Sequence, residues 1–181
     1  MRRAHLMLLS AILFCSTIAL ILPEDAQAGR SPERVFAGNV ITSKTHIPTR
    51  AKSANAYIRT LRKLKTRQFW ENTETKEWKI YFAAFFRKPL NDLEITIKLY
   101  DVTGGQPHLK SSFQQFLGTR GQKSVVSHLK LSREHFGVNR QILMVVENRG
   151  RTLATGKFKI LGKQDRPSGN VVFTEEEAAG H

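Results

Sequence analysis

Cysteine is nearly absent: in 181 residues only Cys15 occurs, inside an apolar run near the N-terminus. Beyond that point the chain has no thiol, which excludes a disulfide framework, a thiolate zinc site and a cysteine nucleophile. Acid is scarce as well, with 15 Asp and Glu against 29 Lys and Arg, a formal net charge of +14. An excess of this size favours anionic partners: acidic polysaccharide, lipopolysaccharide, phospholipid headgroups or nucleic acid. Signatures of catalysis are also missing, since the chain contains no G-x-S-x-G elbow, phosphate loop or dinucleotide fingerprint. His46, His108, His128, His135 and His181 are scattered, with no two at the spacing of a helix-borne metal pair. They read as surface histidines. Glu71, Glu74 and Glu77 punctuate residues 72–76, a solvated hairpin loop by its composition and not a carboxylate pair around a substrate. The expectation is a protein that is not an enzyme and uses no cofactor and no metal.

What is present begins with an export address. Arg2, Arg3 and His5 precede an apolar run over residues 6–22, and Pro23 ends it. Glu24 and Asp25 form a polar region, and Ala26, Gln27 and Ala28 put small residues at the alternate positions a signal peptidase accepts. Residues 1–28 are therefore expected to be a cleaved signal peptide, with the cut between Ala28 and Gly29. The alternative is an uncleaved anchor, because 17 apolar residues lie at the short edge of what spans a bilayer of about 30 Å. Lipid modification of Cys15 is disfavoured, since Phe14 stands where a lipoprotein signal needs a small residue. The segment carries two basic and two acidic residues, so cleavage keeps the net charge. A secreted or periplasmic location follows, with no transmembrane segment left after cleavage.

The charge is uneven. Between Lys44 and Arg67 there are eight basic residues and no acid. Within this stretch Ala54, Tyr57, Ile58, Leu61 and Leu64 recur at helical spacing, while Arg59, Arg62, Lys63 and Lys65 fall elsewhere on the wheel. Ser53 can cap the N-terminus, so residues 53–65 are predicted as one short amphipathic helix with a basic face. At the other end, residues 164–181 read as a flexible acidic tail carrying Glu175, Glu176 and Glu177, entered through Pro167, Ser168 and Gly169.

After Arg67 the period changes to two. Trp78, Ile80, Phe82, Ala84 and Phe86 share one face, and Lys79, Tyr81, Ala83 and Phe85 share the other, so the strand is apolar on both sides in its second half. Such a strand belongs in the middle of its sheet. Leu93, Ile95, Ile97 and Leu99 alternate with Glu94, Thr96, Lys98 and Tyr100, the pattern of a half-buried strand. Residues 87–92 between them carry turn chemistry, so the two are expected to form an antiparallel pair. Further strands are predicted over 35–42, 111–117, 123–131, 141–147 and 152–161, with a possible last one over 170–174. A helical turn is expected at 132–137 and a hairpin at 148–151.

Seven or eight antiparallel strands with short turns and one helix point to a two-sheet β-sandwich over residues 29–163. In strand order and length, residues 67–161 resemble immunoglobulin-like and fibronectin-type domains, in which the loop before the penultimate strand often carries a helical turn. The chain lacks their disulfide pair, and no Tyr stands near the start of 141–147 to form a tyrosine corner.

Two nucleic-acid signals dissolve on inspection. Gly118, Thr119, Arg120 and Gly121 are similar to the GXXG loop of KH domains, but that loop joins helices and these neighbours read as strands. Residues 79–86 faintly resemble an RNA-recognition strand, yet Ile80 stands where Gly is needed. Among the aromatics, Trp78 alternates into the core pattern, whereas Trp70 beside the basic helix suits a ligand surface if it is exposed. The combined expectation is binding of an anionic polymer, a lipid headgroup or an envelope protein. Arg59, Arg62, Lys63, Lys65, Arg67 and Trp70 are the candidate surface. The competing expectations are a structural or accessory subunit of an envelope assembly, and, least favoured, a hydrolase.

Overall fold

A strand that is apolar on both faces needs cover on both sides, and the long third strand organises the molecule around that requirement. The computed structural model describes residues 31–163. The predicted signal with its Ala28/Gly29 junction, the 164–181 tail and the 170–174 strand lie outside the described residues. In chain order the elements are α1 (Pro32–Val35), β1 (Val40–Ser43), α2 (Ala54–Leu64), β2 (Gln68–Trp70), β3 (Glu77–Leu90), β4 (Glu94–Asp101), β5 (His108–Phe116), β6 (Gln122–Ser132), α3 (Arg133–Phe136), β7 (Arg140–Asn148) and β8 (Arg151–Leu161).

The strands form a three-stranded sheet, β1-β3-β6, and a five-stranded sheet, β2-β8-β7-β4-β5. All pairings are antiparallel except β2 with β8, which is parallel. This is an immunoglobulin-like β-sandwich. Trp78, Ile80, Phe82 and Phe86 of β3 face the inter-sheet core with Ile97, Met144 and Phe158. The opposite face of β3 sends Ala83 and Phe85 into a second cluster with Phe36, Ile41, Ile47, Ile58 and Leu61, where α2 forms a third layer. Trp78 is held further by its indole N–H, which donates to the Leu161 carbonyl at 2.8 Å.

Two expectations about the strands need correction. The predicted strand over 35–42 is a helical turn followed by a shorter strand. Ser31 caps α1 by accepting from the Arg34 amide at 3.3 Å, and Pro32 opens the helix where its missing N–H costs nothing. The predicted β3–β4 hairpin does not exist, because β3 runs through the supposed turn to Leu90 with a shift in its pairing to β6 between Phe85 and Leu90. Pro89 has no amide to give to a ladder. The chain then crosses to the other sheet, where β4 lies between β5 and β7. The helical turn at α3, ended by Gly137, and the β7–β8 hairpin are where the sequence predicts them.

Polar contacts also stitch the five-stranded sheet. Asp101 accepts from the Thr103 hydroxyl at 2.6 Å and amide at 2.9 Å, and the same hydroxyl accepts from the Gln141 amide. Burial pushes the Asp101 carboxyl up, but those donors together with Arg140 and Lys110 hold it below the ordinary carboxylate range. Lys98 meets Glu147 at 2.9 Å across β4 and β7.

Candidate anionic-ligand surface

Helix α2 begins where the sequence predicts, with Ser53 Oγ accepting from the Ala56 amide at 3.1 Å. Ile58 and Leu61 are buried, and Tyr57 and Leu64 flank them half-buried. At 3.6 residues per turn this places Arg59, Arg62 and Lys63 on the side away from the core, and all three are exposed. Arg62 and Lys63 also sit in the last turn, where cationic side chains are favoured by the helix dipole. Burial, and then the Glu33 carboxylate of α1, push the Tyr57 phenol above its ordinary range, so it remains a protonated donor at neutral pH.

The chain leaving α2 joins the two sheets. The Lys65 amide closes the helix on the Leu61 carbonyl at 3.0 Å, and the Thr66 amide donates to Thr42 of β1 at 2.8 Å. Thr42 Oγ1 returns a bond to the Thr66 carbonyl. One residue on, the Arg67 carbonyl accepts from the Lys159 amide of β8 at 2.7 Å. Lys65 and Arg67 are thus fixed at the rim between β1 and β8, with their side chains exposed. Trp70 lies on β2, where Phe69 turns into the core against Phe158 and Gln68 and Trp70 turn outward. Trp70 is 39% exposed.

The structure therefore places every predicted surface residue at solvent but divides them into two groups. Arg59, Arg62 and Lys63 belong to the helix face, and Arg59 and Arg62 line a groove of about 490 Å³ with Val35 of α1. Lys65 and Arg67 belong to the inter-sheet rim, and Trp70 to the outer face of the five-stranded sheet. Sequence reasoning missed the partners of the second group. Lys157 and Lys159 of β8 project outward beside Arg67, and with Gln68 and Gln141 they line a groove of about 290 Å³. Their signal was present, because Lys157 and Lys159 alternate with the core residues Phe158 and Ile160.

The cations of this region form no ion pairs among the described residues. The four ion pairs among the described residues are Lys98–Glu147, Arg133–Glu71, Arg140–Asp101 and Arg149–Asp92, and none uses a cation of α2, the rim or β8. Glu71 is a correction in its own right: it is buried, not part of a solvated loop, and its Oε2 accepts from Arg133 at 3.3 Å.

His46 and His128 lie on either side of Tyr81, at ring-centroid distances of 5.9 and 5.7 Å, and Lys79 stands 5.2 Å from the Tyr81 centroid. His135 instead packs on Phe136 and bonds the Lys110 carbonyl at 2.6 Å. Among the described residues no group of three or more His, Cys, Asp or Glu is placed to hold a metal ion. Among the same residues no helix is long and apolar enough to cross a membrane.

No protein-family model matches the chain, and no curated protein matches it. Among solved structures it is similar to an immunoglobulin-like protein from Pseudomonas aeruginosa, at 20% identity over 53% of this chain and 79% of that one, with a TM-score of 0.36.

Proposed function

We propose that this immunoglobulin-like protein is an exported, non-enzymatic binding module that holds an anionic ligand through the basic face of α2 and the adjoining rim. One observation carries the reading: the cations of α2, Lys65, Arg67, Lys157 and Lys159 are exposed on neighbouring elements and take part in none of the four ion pairs among the described residues. Keeping several like charges together without ion-paired acid opposes folding through self-repulsion, and an anionic ligand relieves that repulsion. The exposed ring of Trp70 adds an apolar face beside them. Export supports the choice of ligand, since envelope polysaccharides and anionic headgroups are the polyanions met outside the cytoplasm.

The test is retention on an immobilised sulfated polysaccharide and on vesicles with and without anionic lipid, at low and at physiological salt. The wild-type protein should bind at least one of these surfaces and release as salt rises. A variant carrying Arg59→Gln, Arg62→Gln, Lys63→Gln and Lys65→Gln should bind ~10³-fold more weakly if each cation contributes ~1 kcal/mol at an anionic surface. Absence of salt-sensitive binding by the wild type sinks the reading. Export has its own check: expressed with its full N-terminus, the protein should be recovered outside the cytoplasm with Gly29 as its first residue, and recovery of an unprocessed cytoplasmic chain would remove that part.

A protein partner is the second reading, and β5 favours it. This strand is an edge of the five-stranded sheet, and it leaves Phe116 73% and Leu109 54% exposed. An open edge flanked by apolar side chains suits strand addition by another chain. Binding of that kind would be insensitive to salt, which separates it from the first.

A further inference from the structure

The rim cations have counterparts at the opposite end of the same seam. Along one side of the sandwich, β1 and β8 run past each other without forming a ladder, joined by a single bridge between Asn39 and Thr155, whose amide donates to the Gly38 carbonyl at 3.0 Å. Below that bridge Lys65, Arg67 and Lys157 line a cleft of about 310 Å³. Above it Arg87, Lys88 and Arg151 line a second cleft, of about 210 Å³, with Thr152 and Leu153. The irregular end of β3 supplies Arg87 and Lys88, and Arg87 lies across Gly38, at the upper end of the bridge. No carboxylate lines either cleft. Between the two triads the exposed positions are Asn39 and Thr155, both neutral and both able to hydrogen-bond.

We infer that this seam is an extended binding track for a linear acidic polysaccharide that engages both cation triads at once. The inference rests on the anionic-ligand reading above and specifies its ligand. Length supports it. Arg151 and Lys157 are six residues apart on β8, which at about 3.3 Å per residue separates the triads by at most about 20 Å, the strand carrying a bulge opposite Val146 and Glu147 between them. A lone phosphate or headgroup can occupy one triad only. A chain with recurrent negative charge reaches both, and the second contact then forms at high effective concentration. The neutral middle suits sugar hydroxyls, which offer donors and acceptors without charge. A track about 20 Å long but one strand wide also fits a single extended chain better than a planar bilayer surface.

The experiment uses the full chain and sulfated oligosaccharides whose extended lengths are about 10 Å and about 30 Å, bracketing the separation of the triads set by the strand rise. The longer probe should bind at least tenfold more tightly than the shorter. A variant carrying Arg87→Gln, Lys88→Gln and Arg151→Gln should lose that advantage, its affinities for the long and the short probe converging. Its dependence of log K on log salt should be shallower for the long probe, since fewer counterions are released. Circular dichroism and the melting temperature confirm that the variant is folded. Equal affinity for both lengths, or an unchanged long-probe affinity in the variant, overturns the track and leaves the α2 face as the binding surface. Tighter binding to anionic vesicles or to single-stranded DNA of matched length than to the longer oligosaccharide overturns the assignment of ligand class. No binding of any polyanion overturns the anionic-ligand reading and the track with it.

Discussion

Replacing Leu61 with alanine is expected to lower the unfolding free energy by about 3 kcal/mol, within the range for a fully buried leucine. Leu61 is 0% exposed and is one of only two buried residues of α2. It packs in the cluster of Phe36, Ile41, Ile47, Ile58, Ala83 and Phe85. No strand ladder holds the helix. Its attachments are this apolar cluster and the bonds between Thr66 and Thr42. The loss should therefore be local before it is global, because elements with few anchors open at lower free energy than a central strand. Hydrogen exchange is the deciding measurement. Amides of α2 should lose protection in the variant well before those of Ile142, Met144 and Val146 in β7, which are fully buried in the middle of the sandwich. Uniform loss of protection would show that helix and sandwich unfold as one unit. Binding to polyanions should weaken as well, since a helix that frays must be ordered again each time it binds.

That prediction depends on β3, and β3 is where the sequence was most legible. Its two-sided apolarity called for a central strand, and the structure puts it between β1 and β6 with a core on each face. Helix α2 was equally plain, because Ser53 and the spacing of Ile58 and Leu61 agree on where it starts and which side is buried. Pairing was not legible. Residues 87–92 have the composition of a hairpin turn, yet composition carries no information on which strand lies alongside, and the ladder partners of β4 are β5 and β7. The start of the chain's first strand was misread for another reason. The apolar pattern at Val35, Phe36 and Val40 fits a strand, but Ser31, Pro32 and Glu33 are a helix opening, and the local signal prevailed. The basic helix could be found from its run of charge. That Lys65, Arg67, Arg87, Arg151 and Lys157 lie along one seam could not be read, because they come from segments far apart in the chain that meet only when β1 and β8 pass each other.

Gly156→Val should be the most disruptive single change at that meeting point, costing about 3 kcal/mol, the upper part of the range for overpacking. Gly156 takes the inward position of β8 between the exposed Thr155 and Lys157. A Cβ placed there would stand 2.8 Å from both the Val40 Cβ and the Val40 carbonyl oxygen of β1. The carbonyl belongs to the backbone, and β1 is tied to β3 through Val40 to Ser43, so the obstacle cannot simply swing aside. The two strands must separate, and the Asn39–Thr155 bridge should go with them. Alanine at the same site should already be destabilising, since its methyl meets the same atoms, with valine worse. Gly118→Ala is the control: its added Cβ would lie 3.9 Å from the Gln122 side chain, an ordinary contact, and its melting temperature should stay close to wild type. Denaturant unfolding of the three variants ranks them. If Gly156→Val were as stable as Gly118→Ala, β1 and β8 would not be held at this separation in solution, and the cation triads on either side of the bridge would have no fixed spacing. If the expected order holds and the variant remains folded at low temperature, it should also lose preference for long over short polyanions, because prising the strands apart changes the distance between the triads without removing a single charge.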